Sequence, residues 1–303
     1  MSRIYKILKN FTGETYRPKI VASFDKGYTV LTTSDDTGLM FYRYPNHYHI
    51  SFSFDLDDIT KIIGKRRNYE LVISNDPHIE FRNGKKVDIV GLSFTDADDI
   101  VFPDVPDKGY VTDFHELKRA YKAVAFYNTR ILDDCDIVVS KDYMSLRNHT
   151  SELVYKTHIN LPNMSIPFVQ FAHMIKSIEH ALGKTQLVYM HQSTDLYVFD
   201  DDATYLAILP YHKDPASPLD LDSATYIGHV NYAPTTEPIK VLGRNNTFKF
   251  NGVDIAQSNV VFNKTIPATR LNQIAAIYGN SIEVYVYATS LILDFGPIYV
   301  IFY

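Results

Sequence analysis

Three stretches of the chain share one pattern: an amphipathic helix followed by three short alternating strands. The middle copy, SIPFVQFAHMIKSIEHALGKTQLVYMHQSTDLYVFDDDATYLAILPYH, runs from Ser165 to His212. In it Phe168, Phe171, Ala172, Ile175, Ile178 and Leu182 recur at three- and four-residue steps, so one helix face is apolar. The other face carries His173, Lys176, His180 and Lys184. Pro167 suits the first turn of that helix and Gly183 its stop. The residues that follow alternate as an antiparallel meander: Leu187 and Tyr189, then Leu196 and Val198, then Tyr205, Ala207 and Leu209. Copies of the pattern begin at Asp55 and Thr265, and their last strands, VDIVGLSF, TYLAILPY and IYVIFY, read alike. Such spacing is that of small like domains in tandem.

With 303 residues the chain is too long for one ordinary core and suits two or three. A hydrophobic share of 46% with 21% charged residues marks a folded chain. No apolar run is long enough to span a bilayer, and MSRIYKILKNF lacks the apolar core of a signal peptide. The single cysteine, Cys135, cannot form an internal disulfide and points to a reducing, cytoplasmic compartment. The Asn-x-Ser/Thr triplets are accordingly read as chance matches.

Taken in order, residues 1–10 predict a short helix, and KIVASF, YTVLTT, LMFYRY and HYHISFSF predict strands leading to the helix capped by Asp55. DIVFPDVPDKGYVT reads as a Pro/Asp-rich connector. FHELKRAYKAVAFYNTR then predicts a helix capped by Asp113, with Leu117, Tyr121 and Val124 inward, before three strands and the middle copy. YHKDPASPLDLDSA is a second connector. The third segment has short strands and the last helix but no counterpart of the helix at 114, because APTTEPIKV carries two prolines. The expected division is 1–105, 106–213 and a shorter 214–303, all α+β.

Charge is unevenly distributed. The helical windows hold half of the 30 Lys and Arg but only five of the 35 Asp and Glu, in a chain of formal charge −5. An acidic chain with basic helices fits a polyanion partner gripped through phosphates, without sequence preference. The candidate contacts are Arg3, Lys6, Lys9, Lys61, Lys65, Arg66, Arg67, Lys118, Arg119, Lys122, Lys176, Lys184 and Arg270. Zinc-ligand spacing, a recognition-helix signature and an RNP motif are absent, so nothing points to base reading. The plainer reading is that these are solvated helix faces with cations near the C-terminal turns. Asp-rich groups at Asp55-Asp57-Asp58, Asp96-Asp98-Asp99, Asp133-Asp134-Asp136 and Asp200-Asp201-Asp202 allow a metal-dependent nuclease as an alternative, but each falls where aspartate caps or bends a chain. A tandem β-rich virion structural protein is the other alternative. No metal, cofactor or catalytic residue is assigned, and no enzyme activity is expected.

Several segments together resemble a DNA polymerase sliding clamp, the ring-shaped processivity factor, most nearly those of T-even-type bacteriophages. They are ILKNF (7–11), ISFSFDLDDITKIIGKRRNYELVISNDPHIEF (50–81), VFPDVPDKG (101–109), LKRAYKAV (117–124) and FVQFAHMIKSIEHALGKTQLVYM (168–190). The resemblance implies clamp-type domains with antiparallel sheets outside and helices on the inner face of a closed ring. It implies double-stranded DNA, a DNA polymerase and an ATP-dependent clamp loader as partners. Three copies of the pattern favour a homodimer, with a homotrimer as the alternative if residues 214–303 are not a true third domain. Such a protein would work in the cytoplasm, that of a bacterial host if the chain is viral, with no membrane attachment. Clamp partners dock short peptides beside an interdomain connector; by position the candidates are Leu219, Leu221, Tyr226, Ile301, Phe302 and Tyr303.

Overall fold

The structure, a computed structural model, describes residues 5–6, 19–25, 28–35, 38–45, 52–96, 102–127, 135–181, 187–202 and 204–303. Its elements repeat one order three times: four strands, a helix, three strands. The first set is β1 (Lys19–Asp25), β2 (Tyr28–Asp35), β3 (Gly38–Pro45), β4 (Phe52–Asp55), α1 (Leu56–Ile63), β5 (Tyr69–Val72), β6 (His78–Asn83) and β7 (Lys86–Gly91), followed by the two-residue β8 (Thr95–Asp96). The second is introduced by β9 (Tyr110–Asp113) and α2 (Phe114–Ala125). It continues with β10 (Asp136–Val139), β11 (Tyr143–Arg147), β12 (Ser151–Lys156), β13 (Met164–Pro167), α3 (Phe168–Ala181), β14 (Leu187–Gln192), β15 (Leu196–Phe199) and β16 (Tyr205–Leu209). After the short β17 (His212–Lys213), β18 (Thr225–Asn231) introduces the third. Its members are β19 (Ile239–Arg244), β20 (Thr247–Phe250), β21 (Val253–Ala256), β22 (Phe262–Ile266), α4 (Ala268–Tyr278), β23 (Ser281–Tyr287), β24 (Ser290–Asp294) and β25 (Ile298–Phe302).

Local chemistry sets the helix ends. The Asp55 carboxylate accepts the Asp57 N–H at 2.8 Å, and Asp113 accepts those of His115 and Glu116, satisfying donors that have no partner inside a helix. Gly64 closes α1 at φ 53°, a left-handed conformation that glycine adopts without a Cβ clash. Pro167 is not in the first turn of α3, as its spacing suggested. It ends β13, opposite Asp136, and α3 begins one residue later. The strand β13 itself went unread because only four residues, MSIP, separate two stronger signals.

Contacts divide the chain into two compact units. The first comprises Met1–Glu116, Asn160–Pro162 and Val169–Tyr211. It holds a nine-stranded sheet of order β8-β4-β1-β2-β3-β16-β15-β14-β9 and a three-stranded sheet β5-β6-β7. The second comprises Leu117–Ile159, Asn163–Phe168 and His212–Tyr303. It holds a nine-stranded sheet of order β17-β13-β10-β11-β12-β25-β24-β23-β18 and a four-stranded sheet β21-β20-β19-β22. The two large sheets are built alike: the first four strands of one repeat join the last three of the next. They also join in the same register. At the β3/β16 seam Leu39, Met40 and Phe41 face Ile208, Ala207 and Leu206; at the β12/β25 seam Glu152, Leu153 and Val154 face Ile301, Val300 and Tyr299.

Alternation predicted one buried face per strand, yet β24 and β25 are buried at every position, as is β16 apart from Ile208. Two layers cover them. Helices cover one face: Ser177 of α3 shares a hydrogen bond with Tyr205, and Tyr127, just beyond α2, donates to Ser151. The two connectors cover the other. Phe102 and Val105 pack with Phe41, Tyr189, Phe199 and Leu206 in the first unit; Leu219 and Leu221 pack with Val154, Ile292, Tyr299 and Ile301 in the second.

No helix lies between β18 and β19, as the prolines there predicted. Asn272 of α4 ties down the loop in its place, accepting a hydrogen bond from Tyr232 and donating to the Thr235 carbonyl at 2.8 Å. An open cleft of about 410 Å³ remains beside Pro234, Thr235, Thr236 and Asn272. Among the described residues no helix is long and apolar enough to cross a membrane.

Candidate nucleic-acid interface and partner groove

In the first unit α1 buries Leu56, Ile59 and Ile63 and leaves Lys61 exposed, 3.0 Å from Asp58 one turn earlier. Lys65, Arg66 and Arg67 follow the helix rather than extend it, all exposed, near its partially negative C-terminal end. The Arg66 guanidinium stacks 4.3 Å from the centre of the Phe81 ring. With Arg67, Asn68, Arg82, Asn83 and Asp88 it lines a cleft of about 420 Å³, in which Arg82 also pairs with Glu70 and Glu80. Lys176 is exposed on α3, whose buried face runs from Phe168 through Phe171, Met174, Ile175 and Ile178. Lys6 is half-buried beside Tyr5, whose hydroxyl meets Thr60 of α1. Arg3, Lys9 and Lys184 lie outside the described residues.

In the second unit α2 buries Leu117, Ala120 and Val124 completely. Arg119 and Lys122 are exposed on its other side and Lys118 is half-exposed. Arg270 on α4 is held inward, its guanidinium 4.5 Å from the centre of the Tyr127 ring. That contact takes up one face of the guanidinium.

The Asp-rich groups have structural roles where they are described. Asp55 caps α1, Asp200 accepts the N–H groups of Thr204 and Tyr205 across a turn, and Asp201 pairs with Lys108. Burial, the largest influence, raises the Asp200 carboxyl above its ordinary range. No group of three or more His, Cys, Asp or Glu suited to a metal occurs among the described residues.

The six partner-peptide candidates separate by strand geometry. Leu219, Leu221 and Ile301 meet in one apolar groove on the sheet face opposite the helices. Tyr226 lies at its margin, 53% exposed, its ring edge-on to Tyr285 at 5.2 Å. Burial pushes the Tyr285 hydroxyl up to about 12, and its hydrogen bond to the Glu283 carboxylate adds to the shift. Phe302 follows Ile301 in β25, so the two-residue period turns it to the other face. Tyr303 donates to Glu152 at 2.6 Å. Glu152 is fully buried and also accepts from Ser145 and Arg147. The remaining walls, Val154, Ile292 and Tyr299, were missed, because only the pairing register shows which strands adjoin; aligning the three repeats would have exposed it.

Two large sheets of identical order and register, made by pairing successive repeats, are the observation that decides the fold. The chain has the sliding-clamp fold. It is similar along 99% of its length to the DNA polymerase III beta subunit of Thermotoga maritima, with 95% of that chain covered, TM-score 0.69 and 10% identity. The Bacillus subtilis DNA polymerase sliding clamp matches over 99% of this chain and 96% of its own, with TM-score 0.62 and 14% identity. That of Caulobacter crescentus matches over 100% and 97%, with TM-score 0.65 and 11% identity. No family model and no curated protein matches at the level of sequence. At such identities the clamp fold persists through pairing and burial, not through retained side chains.

Proposed function

We propose that the chain is a DNA sliding clamp, a non-enzymatic processivity factor that encircles duplex DNA as a ring of two copies and tethers a replicative polymerase. The observation that carries this reading is what the two large sheets leave over. The three-stranded sheet β5-β6-β7 holds the last strands of the first repeat and ends on β7; the four-stranded sheet holds the first strands of the third and ends on β21. These are the two halves of one more sheet of the same kind. They would join between protomers as β12 joins β25, placing β7 antiparallel to the partner's β21. The apolar side chains at these edges support it: Val87 is 48%, Ile89 64% and Val253 60% exposed. Bare apolar edge strands invite pairing, and ring closure leaves none. Two copies would give six equivalent sheets and divide each chain near 1–105, 106–213 and 214–303. A trimer would leave the third repeat without a role.

DNA would be held by scattered Lys and Arg of the helices, with Lys61, Arg119, Lys122 and Lys176 the most accessible, through weak and salt-sensitive phosphate contacts. Topological linkage then gives processivity without tight binding. Polymerase and an ATP-dependent loader would engage the apolar sheet face of Val154, Ile292, Tyr299 and Ile301, over which Leu219 and Leu221 lie, in the cytoplasm, of a bacterial host if the chain is viral. The test is retention on DNA once loaded: the chain should stay on nicked circles and slide off when they are linearised. Equal loss from both would overturn the reading.

A further inference from the structure

The two connectors occupy equivalent places but are held differently. In the first unit Phe102 is sunk to 4% exposure, the Arg43 guanidinium lies 4.1 Å from the centre of its ring, and Lys108 both pairs with Asp201 and sits over Tyr189. That connector is locked by an aromatic plug and an ion pair. In the second unit the segment 214–224 enters through Asp214 at φ 50° and lays Leu219 and Leu221, both only half-buried, on Tyr299 and Ile301. Two of its bonds to the sheet run to main-chain carbonyls, Arg147 to Ala216 at 2.7 Å and the Tyr299 hydroxyl to Leu219 at 3.4 Å, and one side chain, Ser217, reaches Tyr143. Its acidic side chains, Asp214, Asp220 and Asp222, are exposed. Asp220 bonds back to the Asp222 N–H, shaping a single 3₁₀ turn.

We propose that residues 214–224 act as an autoinhibitory strap, a tethered peptide that fills the partner groove with its own Leu-Asp-Leu and must be displaced for a partner to dock. The inference rests on reading that groove as the partner site. Main-chain carbonyl contacts are blind to sequence, so another extended peptide can make them equally well. Two half-buried leucines give a weak grip that tethering makes effective, since a short tether holds its ligand at a concentration on the order of millimolar. Partners arriving at lower concentration would therefore need better anchors than the strap's leucines. The buried Glu152, held by Arg147, Ser145 and Tyr303, is the fixed floor beneath this exchange.

The experiment uses a fluorescent peptide of the chain's own sequence Pro215–Ser223, titrated by anisotropy against the full chain. Leu219→Ser with Leu221→Ser should bind it at least tenfold more tightly than the wild type, because the competing strap no longer fits. Tyr299→Phe removes a hydroxyl whose bond to the Leu219 carbonyl would be shared by strap and peptide, so it should leave the affinity unchanged. In wild-type hydrogen exchange, amides 216–223 should exchange well before those of β25. Equal peptide affinity in wild type and double variant, or exchange in 216–223 as slow as in β25, overturns the strap. Retention on circular DNA, measured on the same proteins, separates the two readings: its loss in the wild type sinks the clamp function and leaves a strap that passes the peptide test.

Discussion

Replacing Ile89 by lysine tests ring closure most directly, because the same substitution has opposite consequences in one chain and in two. In a lone chain Ile89 is 64% exposed, opposite Glu80 in β6, so lysine there should alter stability by no more than about 0.5 kcal/mol. In the proposed junction that exposed two-thirds of the side chain is buried against the partner's β21. Fully burying an isoleucine is worth roughly 1.5–3 kcal/mol, so about 1–2 kcal/mol is lost. Desolvating the lysine, or bending it away, adds about 1–3 kcal/mol. A two-chain ring has two junctions, for a total of roughly 6 kcal/mol, or about 10⁴ in the dissociation constant. Sedimentation velocity over a dilution series reads the dimer, and a thermal melt reads the fold of the protomer. Val253→Lys on the other edge should do the same. A variant that stays dimeric at the dilutions where the wild type does, or a wild type already monomeric at micromolar concentration, refutes the β7–β21 junction.

Other outcomes follow from the same structure. Joint replacement of Lys118, Arg119, Lys122 and Lys176 by alanine should flatten the log–log salt dependence of DNA binding by up to about 0.9 per lost phosphate contact, with the oligomer unchanged; an unaltered slope removes these residues from the interface. Arg147→Ala should cost about 3–5 kcal/mol in denaturant unfolding by stranding the buried Glu152, and adding Glu152→Gln should recover most of it. Asp200 binds its proton more readily folded than unfolded, so its charge opposes folding above the raised pKa and ceases to matter below the ordinary 3.8. Asp200→Asn should accordingly melt at or above the wild type at pH 7, with the gap closing toward pH 4; a lower melt at pH 7 would mean that its bonds to Thr204 and Tyr205 dominate.

Periodicity was enough for the helices and most strands, since Leu117, Val124, Phe171 and Ile175 each lie where a 3.6-residue stripe puts them. It failed where burial is two-sided. Ile301 and Phe302 both vanish from the surface, one under a connector and one under helices, and a single-face reading cannot tell them apart. The connectors misled for the same reason: proline and aspartate marked Phe102 and Leu219 as linker, while Phe102 is part of the core and Leu219 packs half-buried against it. Basic helix faces were legible as composition. The inward turn of Arg270 onto Tyr127 was not, because an arginine at a solvent-facing step can fold back on any nearby ring.

The third repeat manages without a helix before β19, a single asparagine side chain and a short loop standing in for it. Its four strands still form a complete half-sheet. A helix before the first strand of a repeat is therefore dispensable in a way that the strand seams are not, so chains of this fold can differ in their helices while their sheets stay joined. Sequence comparison would lose track of them long before their seams changed.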